Sequence, residues 1–205
     1  MGTAKSAPPR WRRLEPDQRR EQIFEQAIRL FGERPYAEVS TTDIAAEAGV
    51  ARALVNHYFG GKRDLYLAVV RHMVTVPPME SVTLPTGSLR ERVAACVDWL
   101  LRAIGAHGKT WVAVVAAEGI GSDPEVERIL HEADDAAADR VLQVVGLAAV
   151  PDQEYARAVV RAYGGLVKAA AREWLVRGAL TRDQVHTLLT DALVRLVEHD
   201  LSGAA

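Results

Sequence analysis

Apolar residues recur at helical spacing along most of the chain, and this pattern predicts an all-α protein. The first stripe has Ile23 as its first member and Phe31 as its last, and it predicts a helix from about Pro16 to Phe31 that ends at Gly32. Similar stripes predict eight further helices, over about residues 40–48, 51–58, 62–76, 89–104, 111–117, 124–145, 153–177 and 181–199. We therefore expect about nine helices in total.

Capping and helix-breaking residues separate these stripes. The segment from Ser40 to Asp43 has the spacing of a capping box, in which a serine hydroxyl and a carboxylate each satisfy a free amide at a helix start. Gly49 ends the second helix, Gly60-Gly61 ends the third, and Pro77-Pro78 ends the fourth. The second and third helices are therefore short and are joined by a tight turn.

This pair of short helices matches the helix-turn-helix pattern. The pattern needs a small residue where the helices cross, here Ala45, and a glycine at the turn, here Gly49, because the turn favours positive φ. Apolar residues occupy the remaining packing positions, which are Ile44, Ala48, Val50, Val55 and Tyr58. A match of this length also occurs by chance in helical proteins, so the flanking helices matter to the assignment.

Charge and proline content divide the chain into four parts. Residues 1–64 hold 11 Lys/Arg against 9 Asp/Glu, whereas residues 65–205 hold 14 against 18. We predict a basic flexible arm over 1–14, a helix-turn-helix DNA-binding domain over 15–61, a connecting helix over 62–76 and a helical domain over 77–205. The arm, with Arg10, Arg12 and Arg13, is equally consistent with a solvated tail and with a segment that tracks the DNA minor groove.

The remaining composition bounds location and chemistry. The single cysteine, Cys96, lies in an apolar helical pattern, which indicates a buried thiol rather than a disulfide or a zinc site. No apolar run has the length of a signal peptide core or of a membrane span. We expect a soluble cytoplasmic protein that needs neither a metal nor a cofactor and does not bind a membrane.

Residues 12–75 resemble the N-terminal domain of the tetracycline-repressor (TetR) family. The resemblance rests on the first helix, the capped helix from Ser40, the Gly49-Val50 turn, the "HYF" end of the third helix and Lys62 at the start of the fourth. Beyond this region the chain is similar to the family only in size, helical content and its long final pair of helices. The resemblance implies a homodimeric transcription regulator, usually a repressor, that binds a palindromic DNA operator and is released by a small-molecule inducer.

The resemblance also implies which side chains contact DNA. Base edges are read at the positions of Arg52, Ala53, Leu54 and Asn56. These residue types suit that role, since arginine bonds guanine bidentately, asparagine bonds adenine, and small apolar side chains pack on a thymine methyl group. The DNA backbone is contacted at the positions of Thr41, Thr42, His57, Tyr58 and Lys62.

Two positions depart from the family pattern. Asn56 stands where tyrosine is common, so a polar contact replaces an apolar one. Gly61 stands where a serine or similar capping residue is common, which costs about a few tenths of a kcal/mol. These departures bear on the operator sequence rather than on DNA binding.

The rest of the chain is predicted to bind a ligand and to dimerise. Bulky or polar residues within otherwise apolar helices are candidates for lining a buried ligand cavity, and these are Trp99, Trp111, Glu118 and Tyr163. The last two helices are expected to pair with their symmetry mates as a four-helix dimer interface. Small residues there, such as Gly164, Gly165 and Ala169, permit close approach of helices.

Two other classes of protein compete with this interpretation. An enzyme is disfavoured because Gly60-Gly61-Lys62 lacks the spacing of a phosphate-binding loop and His131-Glu132 lacks a second histidine for zinc. The alternative that stays open is a ligand-independent helix-turn-helix DNA-binding protein with an architectural or adaptor role. An apolar pocket that binds nothing specific would distinguish it from a regulator.

Overall fold

A computed structural model describes residues 16–75, 86–115 and 123–201. These ranges contain helices joined by short turns and contain no strand, which confirms the prediction of an all-α fold. The helices, in chain order, are α1 (Pro16–Glu33), α2 (Thr41–Glu47), α3 (Arg52–Phe59), α4 (Lys62–Val74), α5 (Leu89–Ala106), α6 (Gly108–Val115), α7 (Pro124–Val145), α8 (Gln153–Arg172) and α9 (Arg182–Arg195). The described ranges therefore hold nine α-helices, as expected.

The first four helices form the N-terminal part of the molecule. Their apolar faces meet in one cluster that includes the fully buried side chains Ile23, Ile44, Val55 and Leu65. The apolar stripe predicted along α4 is confirmed, since Leu65, Val69 and Met73 all lie in this cluster. The same cluster continues into α6 and into the first turns of α7, so the N-terminal helices rest on the rest of the molecule through buried side chains.

Helix α1 runs past Gly32, which was predicted to end it. The helix continues to Glu33 because Gly32 is a packing position rather than a stop. A Cβ atom at this glycine would lie 2.2 Å from Thr110 Oγ1 and 3.0 Å from both the Thr110 Cα and N atoms. Glycine is therefore needed where α1 crosses α6.

Replacing Gly32 with alanine is expected to destabilise the protein by about 1–3 kcal/mol, because the new methyl group overpacks the α1–α6 contact. The clash also displaces the buried Thr110 hydroxyl, which donates a 2.9 Å hydrogen bond to the Ile28 carbonyl oxygen. Urea denaturation of the full chain measures the change. Gly164→Ala is the matched control, since a Cβ there has no neighbour within 4 Å; it should instead stabilise the protein by about 0.5–1 kcal/mol. A neutral or stabilising Gly32→Ala would contradict the crossing argument.

The C-terminal helices form a bundle with its own apolar core. Helix α5 packs against α9, and α7 packs against α8. Val93, Leu142, Ala171, Val185 and Leu189 lie in the cluster that these helices share. The two clusters meet at Trp111 of α6, which packs against both.

Side-chain caps start several of these helices. The capping box predicted for Ser40 and Asp43 is confirmed, with Asp43 N donating to Ser40 Oγ over 3.1 Å and Ser40 N donating to an Asp43 carboxylate oxygen over 2.9 Å. The hydroxyl and then the amide of Ser40 hold the pKa of the Asp43 carboxyl below its ordinary value. Ser88 and Thr181 form equivalent boxes at α5 and α9.

Replacing Ser40 with alanine is expected to cost about 1 kcal/mol at neutral pH, because α2 loses its N-cap. The pKa of Asp43 is lowered in the folded state, so its contribution is present above the unfolded pKa and is lost as pH falls through the lower, folded value. The stability difference between wild type and variant should therefore shrink below about pH 4. Urea denaturation at neutral and acidic pH tests this, and a difference that grows in acid would contradict the box as its source.

The single thiol, Cys96, lies on α5 and is half-buried, whereas its apolar pattern predicted a buried thiol. Burial raises the pKa of the Cys96 thiol above its ordinary value. The side chain is thus a weakly ionised packing group rather than a nucleophile.

Candidate DNA-binding surface and ligand cavity

The turn between α2 and α3 sets the angle between these two helices. Gly49 has a φ of +62°, a conformation that glycine adopts without strain. The turn is closed by a hydrogen bond from Val50 N to the Ala45 carbonyl oxygen (2.9 Å). Ala45 itself is buried at the crossing, so a larger side chain there would force α2 and α3 apart.

Helix α3 buries one side and leaves the other open. Val55 and Phe59 lie in the core, while most of the residues predicted to contact DNA are exposed. The predicted residues that are exposed are Thr42, Arg52, Ala53, Asn56 and His57. Leu54, Tyr58 and Lys62 are half-buried, and Thr41 is buried.

Thr41 and Arg52 are brought together by the turn. Arg52 Nε donates a 3.2 Å hydrogen bond to Thr41 Oγ1, which is buried at the start of α2. This bond uses one of the five N–H donors of the guanidinium group. Thr41 can therefore orient the arginine while the other donors stay available for a base.

Lys62 is held by a neighbour that the sequence pattern did not indicate. Its Nζ lies 4.2 Å from the centroid of the Tyr36 ring and donates to the Ala37 carbonyl oxygen over 3.4 Å. Tyr36 belongs to the short 3₁₀ turn between α1 and α2, where no periodicity points to a site. In the sequence, the pair Pro35-Tyr36 indicates a turn with an aromatic side chain, but it does not indicate a contact with Lys62.

Helix α4 is tied to the N-terminal end of α7 by ion pairs. Arg63 donates two hydrogen bonds to the Asp123 carboxylate, at 2.6 and 2.8 Å. Further along α4, Arg71 pairs with Glu125 at 2.7 Å. Asp123 also caps α7 by accepting from Glu125 N, and the Arg63 guanidinium lowers the pKa of the Asp123 carboxyl. The sequence did not predict these pairs, because their partners are about sixty residues apart.

A cavity of about 180 Å³ lies between α4, α5, α6, α7 and α8. Three of the four residues predicted to line a ligand site do line it: Trp99, Trp111 and Tyr163. Glu118 lies outside the described residues. Met73 and Val74 at the end of α4 form part of the same wall.

The charged side chains of the cavity wall and the Tyr163 hydroxyl are partnered within the protein. Asp134 and Lys168 form a 2.8 Å ion pair. Arg161 pairs with Asp135 at 2.9 Å and with Glu154 at 2.7 Å. The buried Tyr163 hydroxyl donates to the Leu189 carbonyl oxygen over 3.1 Å, and burial raises the pKa of this phenol above its ordinary value.

The N-terminal part of the chain is similar in sequence to known regulatory proteins. The family model described as bacterial regulatory proteins of the tetR family matches residues 23–69. The HTH-type transcriptional regulator BetI of Brucella anthropi is 43% identical over 86 residues, which cover 41% of this chain and 44% of BetI. BetI of Rhizobium meliloti is 34% identical over 91 residues. The matched region thus spans less than half of the length of these curated relatives.

Solved structures extend the likeness in fold. A tetR-family transcriptional regulator from Streptomyces coelicolor has a TM-score of 0.74 at 24% identity, covering 93% of this chain and 87% of its own. A transcriptional regulator from Saccharomonospora viridis, solved in complex with choline, has a TM-score of 0.61 at 22% identity and covers 90% of this chain and 97% of its own.

The relatives named above are regulators, which agrees with the prediction that the protein is not an enzyme. Among the described helices, none is both long and apolar enough to cross a membrane. The family match includes the whole of α2 and α3, and the similarity in fold continues through the helical bundle. Residues 23–69 thus match the tetR family of bacterial regulatory proteins, and the described helices share the fold of solved tetR-family regulators.

Proposed function

We propose that this protein is a homodimeric transcriptional repressor that binds a palindromic DNA operator and is released by a small-molecule inducer. The observation that carries the proposal is the open face of α3, in which exposed polar side chains stand opposite a fully packed core side. A helix of this kind fits the major groove, where its first residues meet base edges. The alternative is an architectural DNA-binding protein that needs no ligand.

In this proposal two groups of residues have different tasks. Arg52, Ala53, Leu54 and Asn56 read bases, since they lie along the first turns of α3. The DNA backbone is held from the start of α2, the last turn of α3 and the start of α4, by Thr41, Thr42, His57, Tyr58 and Lys62. Phosphate contacts set affinity and register, whereas base contacts set sequence preference.

Replacing Lys62 with alanine should weaken binding to every DNA sequence by a similar factor, because the lost contact is to phosphate. The slope of log K against log salt concentration should fall by about one per half-site. Salt titrations of operator and random duplexes measure both effects. Lys109→Ala is the matched control, since Lys109 is an exposed lysine of α6 on the bundle. A loss confined to the operator would instead make Lys62 a base-reading residue.

Dimerisation is proposed to use the outer face of α8 together with α9. Exposed residues follow one another along α8 at alternating spacings of three and four, the pattern of a helix-pairing stripe. They are Tyr155, Ala158, Ala162, Gly165, Ala169 and Arg172, and Val176 continues the spacing just beyond the end of α8. Most are small, so two copies of α8 can approach closely. Leu188 adds an exposed apolar side chain from α9.

Coupling between cavity and DNA is proposed to run through α4. This helix begins with Lys62 at the DNA-binding surface and ends with Met73 and Val74 in the cavity wall, 13 residues or about 20 Å in all. The Arg63–Asp123 and Arg71–Glu125 pairs make α4 follow the start of α7. Successive major grooves are about 34–36 Å apart, and the two α3 helices of the dimer must match this distance. An inducer that prefers a shifted α4 would change the distance between the two α3 helices. A coupling of about 1–3 kcal/mol lowers operator affinity about 5- to 150-fold.

Selection of bound fragments from random duplex DNA tests the proposal. A palindromic consensus is expected from a two-fold symmetric reader. Absence of any enriched sequence would overturn it. A thermal-shift screen of small molecules then separates the two candidates, because a ligand of the native state must raise the melting temperature. An architectural protein would bind DNA without responding to any compound.

A further inference from the structure

We propose that the cavity takes a compact, uncharged and mainly apolar molecule. The inference rests on the proposed function, in which this cavity is the inducer site. It concerns which chemical class of compound fits, and it follows from the partners of the polar groups in the wall.

The wall is mostly apolar. Residues from five helices supply it, among them Met73, Trp99, Leu100, Trp111 and Val141. An apolar cavity of about 150 Å³ is large enough for benzene. A cavity of about 180 Å³ therefore suits a single ring with a small branched substituent.

The charged residues of the wall are engaged with each other or with neighbours. Asp134 and Lys168 share a 2.8 Å ion pair in which the side chains are 36% and 22% exposed. Arg161 is held by the carboxylates of Asp135 and Glu154, both on the outer side of α7 and α8. The Tyr163 hydroxyl proton is committed to the Leu189 carbonyl oxygen.

A charged occupant would disrupt these pairs. A cation would need the Asp134 carboxylate, which means displacing Lys168, and it would then lie near two positive groups of the wall. An anion would need Lys168, which leaves the Asp134 carboxylate without its cation. In either case one member of a partly buried pair loses its partner, and that loss offsets the gain from the new contact. An uncharged molecule fills the apolar space and leaves the pairs intact.

Three isosteric probes separate the classes. The compounds tert-butylbenzene, phenyltrimethylammonium and benzenesulfonate have nearly the same shape and carry charges of zero, plus one and minus one. The full-length protein is titrated with each, and the readouts are melting temperature and the fluorescence of Trp99 and Trp111 in the wall. We expect tert-butylbenzene to raise the melting temperature by about 3 °C at ten times its dissociation constant and the two ions to raise it by less than about 1 °C. Equal or greater stabilisation by either ion would overturn the proposal.

Variants of the ion pair give a second readout that a purely structural role would not produce. Lys168→Leu leaves Asp134 without its cation and should improve binding of phenyltrimethylammonium about tenfold or more. Asp134→Asn removes the Asp134 carboxylate from the ion pair with Lys168 and should improve binding of benzenesulfonate. Two variants that change affinity for both ions alike would overturn the assignment of selectivity to this pair.

Cavity-filling variants check the location. Gly164 and Ala103 both lie in the wall of the cavity. Gly164→Leu and the milder Ala103→Leu would each place additional side-chain atoms in the cavity itself. Each should abolish stabilisation by tert-butylbenzene while operator binding persists. Stabilisation that survives in a folded variant would place the compound elsewhere and overturn the proposal.

If no probe stabilises the protein but a palindrome is selected, the proposed ligand class is wrong and the proposed regulator stands. If tert-butylbenzene stabilises the protein and no DNA sequence is enriched, the ligand class is supported and the regulator is wrong.

Discussion

Replacing Ala162 with arginine is expected to convert the proposed dimer into a monomer and to lower its affinity for the proposed operator by about 100-fold or more. Ala162 lies in the middle of the exposed α8 stripe, between Ala158 and Gly165. In a two-fold interface each copy of the stripe meets the other, so two guanidinium groups would be placed opposite each other where only small side chains fit. The monomer itself should keep its fold, since residue 162 is exposed in the single chain.

The loss in DNA binding follows from the loss of the second half-site. A dimer binds two half-sites as one event, and linking two such contacts raises avidity about 10²- to 10⁴-fold. Sedimentation velocity and operator titrations measure the two effects. Ala136→Arg is the matched control, because Ala136 is an exposed alanine of α7 away from the stripe. A variant that remains dimeric would place the interface elsewhere.

Replacing Arg52 with alanine is expected to lower operator affinity by about 5- to 150-fold per half-site, because a bidentate contact to guanine discriminates by about 1–3 kcal/mol. Affinity for random DNA should change little apart from the loss of one charge. The Thr41 hydroxyl, which accepts the Arg52 Nε–H, would lose its orienting role at the same time. The sequence preference should relax at one position in each half-site.

Binding titrations on the operator, on single-base variants of it and on random duplexes measure this change. Arg52→Lys is an informative companion, because it keeps the charge and loses the planar fork. It should behave like the alanine variant in specificity and like the wild type in salt dependence. Equal losses on operator and random DNA after Arg52→Ala would show that the residue contacts phosphate only.

Helix boundaries and caps were predictable because they depend on neighbours in the chain. The Ser40–Asp43 box, the turn at Gly49 and the apolar face of α4 each follow from residues within four positions of one another. The packing demand at Ala45 is likewise local, since α2 and α3 are joined by the turn that brings them together. The helix-turn-helix could therefore be identified without the structure.

At Gly32, a contact between distant parts of the chain outweighs the local pattern. Glycine inside a helical pattern indicates an end by local rules, yet the residue lies against Thr110, 78 positions along the chain. Local propensity is outweighed here by a close crossing of two helices. The Tyr36 ring beside Lys62 and the ion pairs from α4 to α7 were missed for the same reason.

The amino-acid sequence determined the helices, their caps and the helix-turn-helix, because each depends on the short-range spacing of residue types. The tertiary structure decided the rest: which aromatic residues share a cavity, that Asp134 is paired with Lys168, and that α4 runs from the end of the helix-turn-helix to the wall of this cavity. These features depend on the packing of helices distant in the chain, and such packing is set by the shapes of buried side chains taken together.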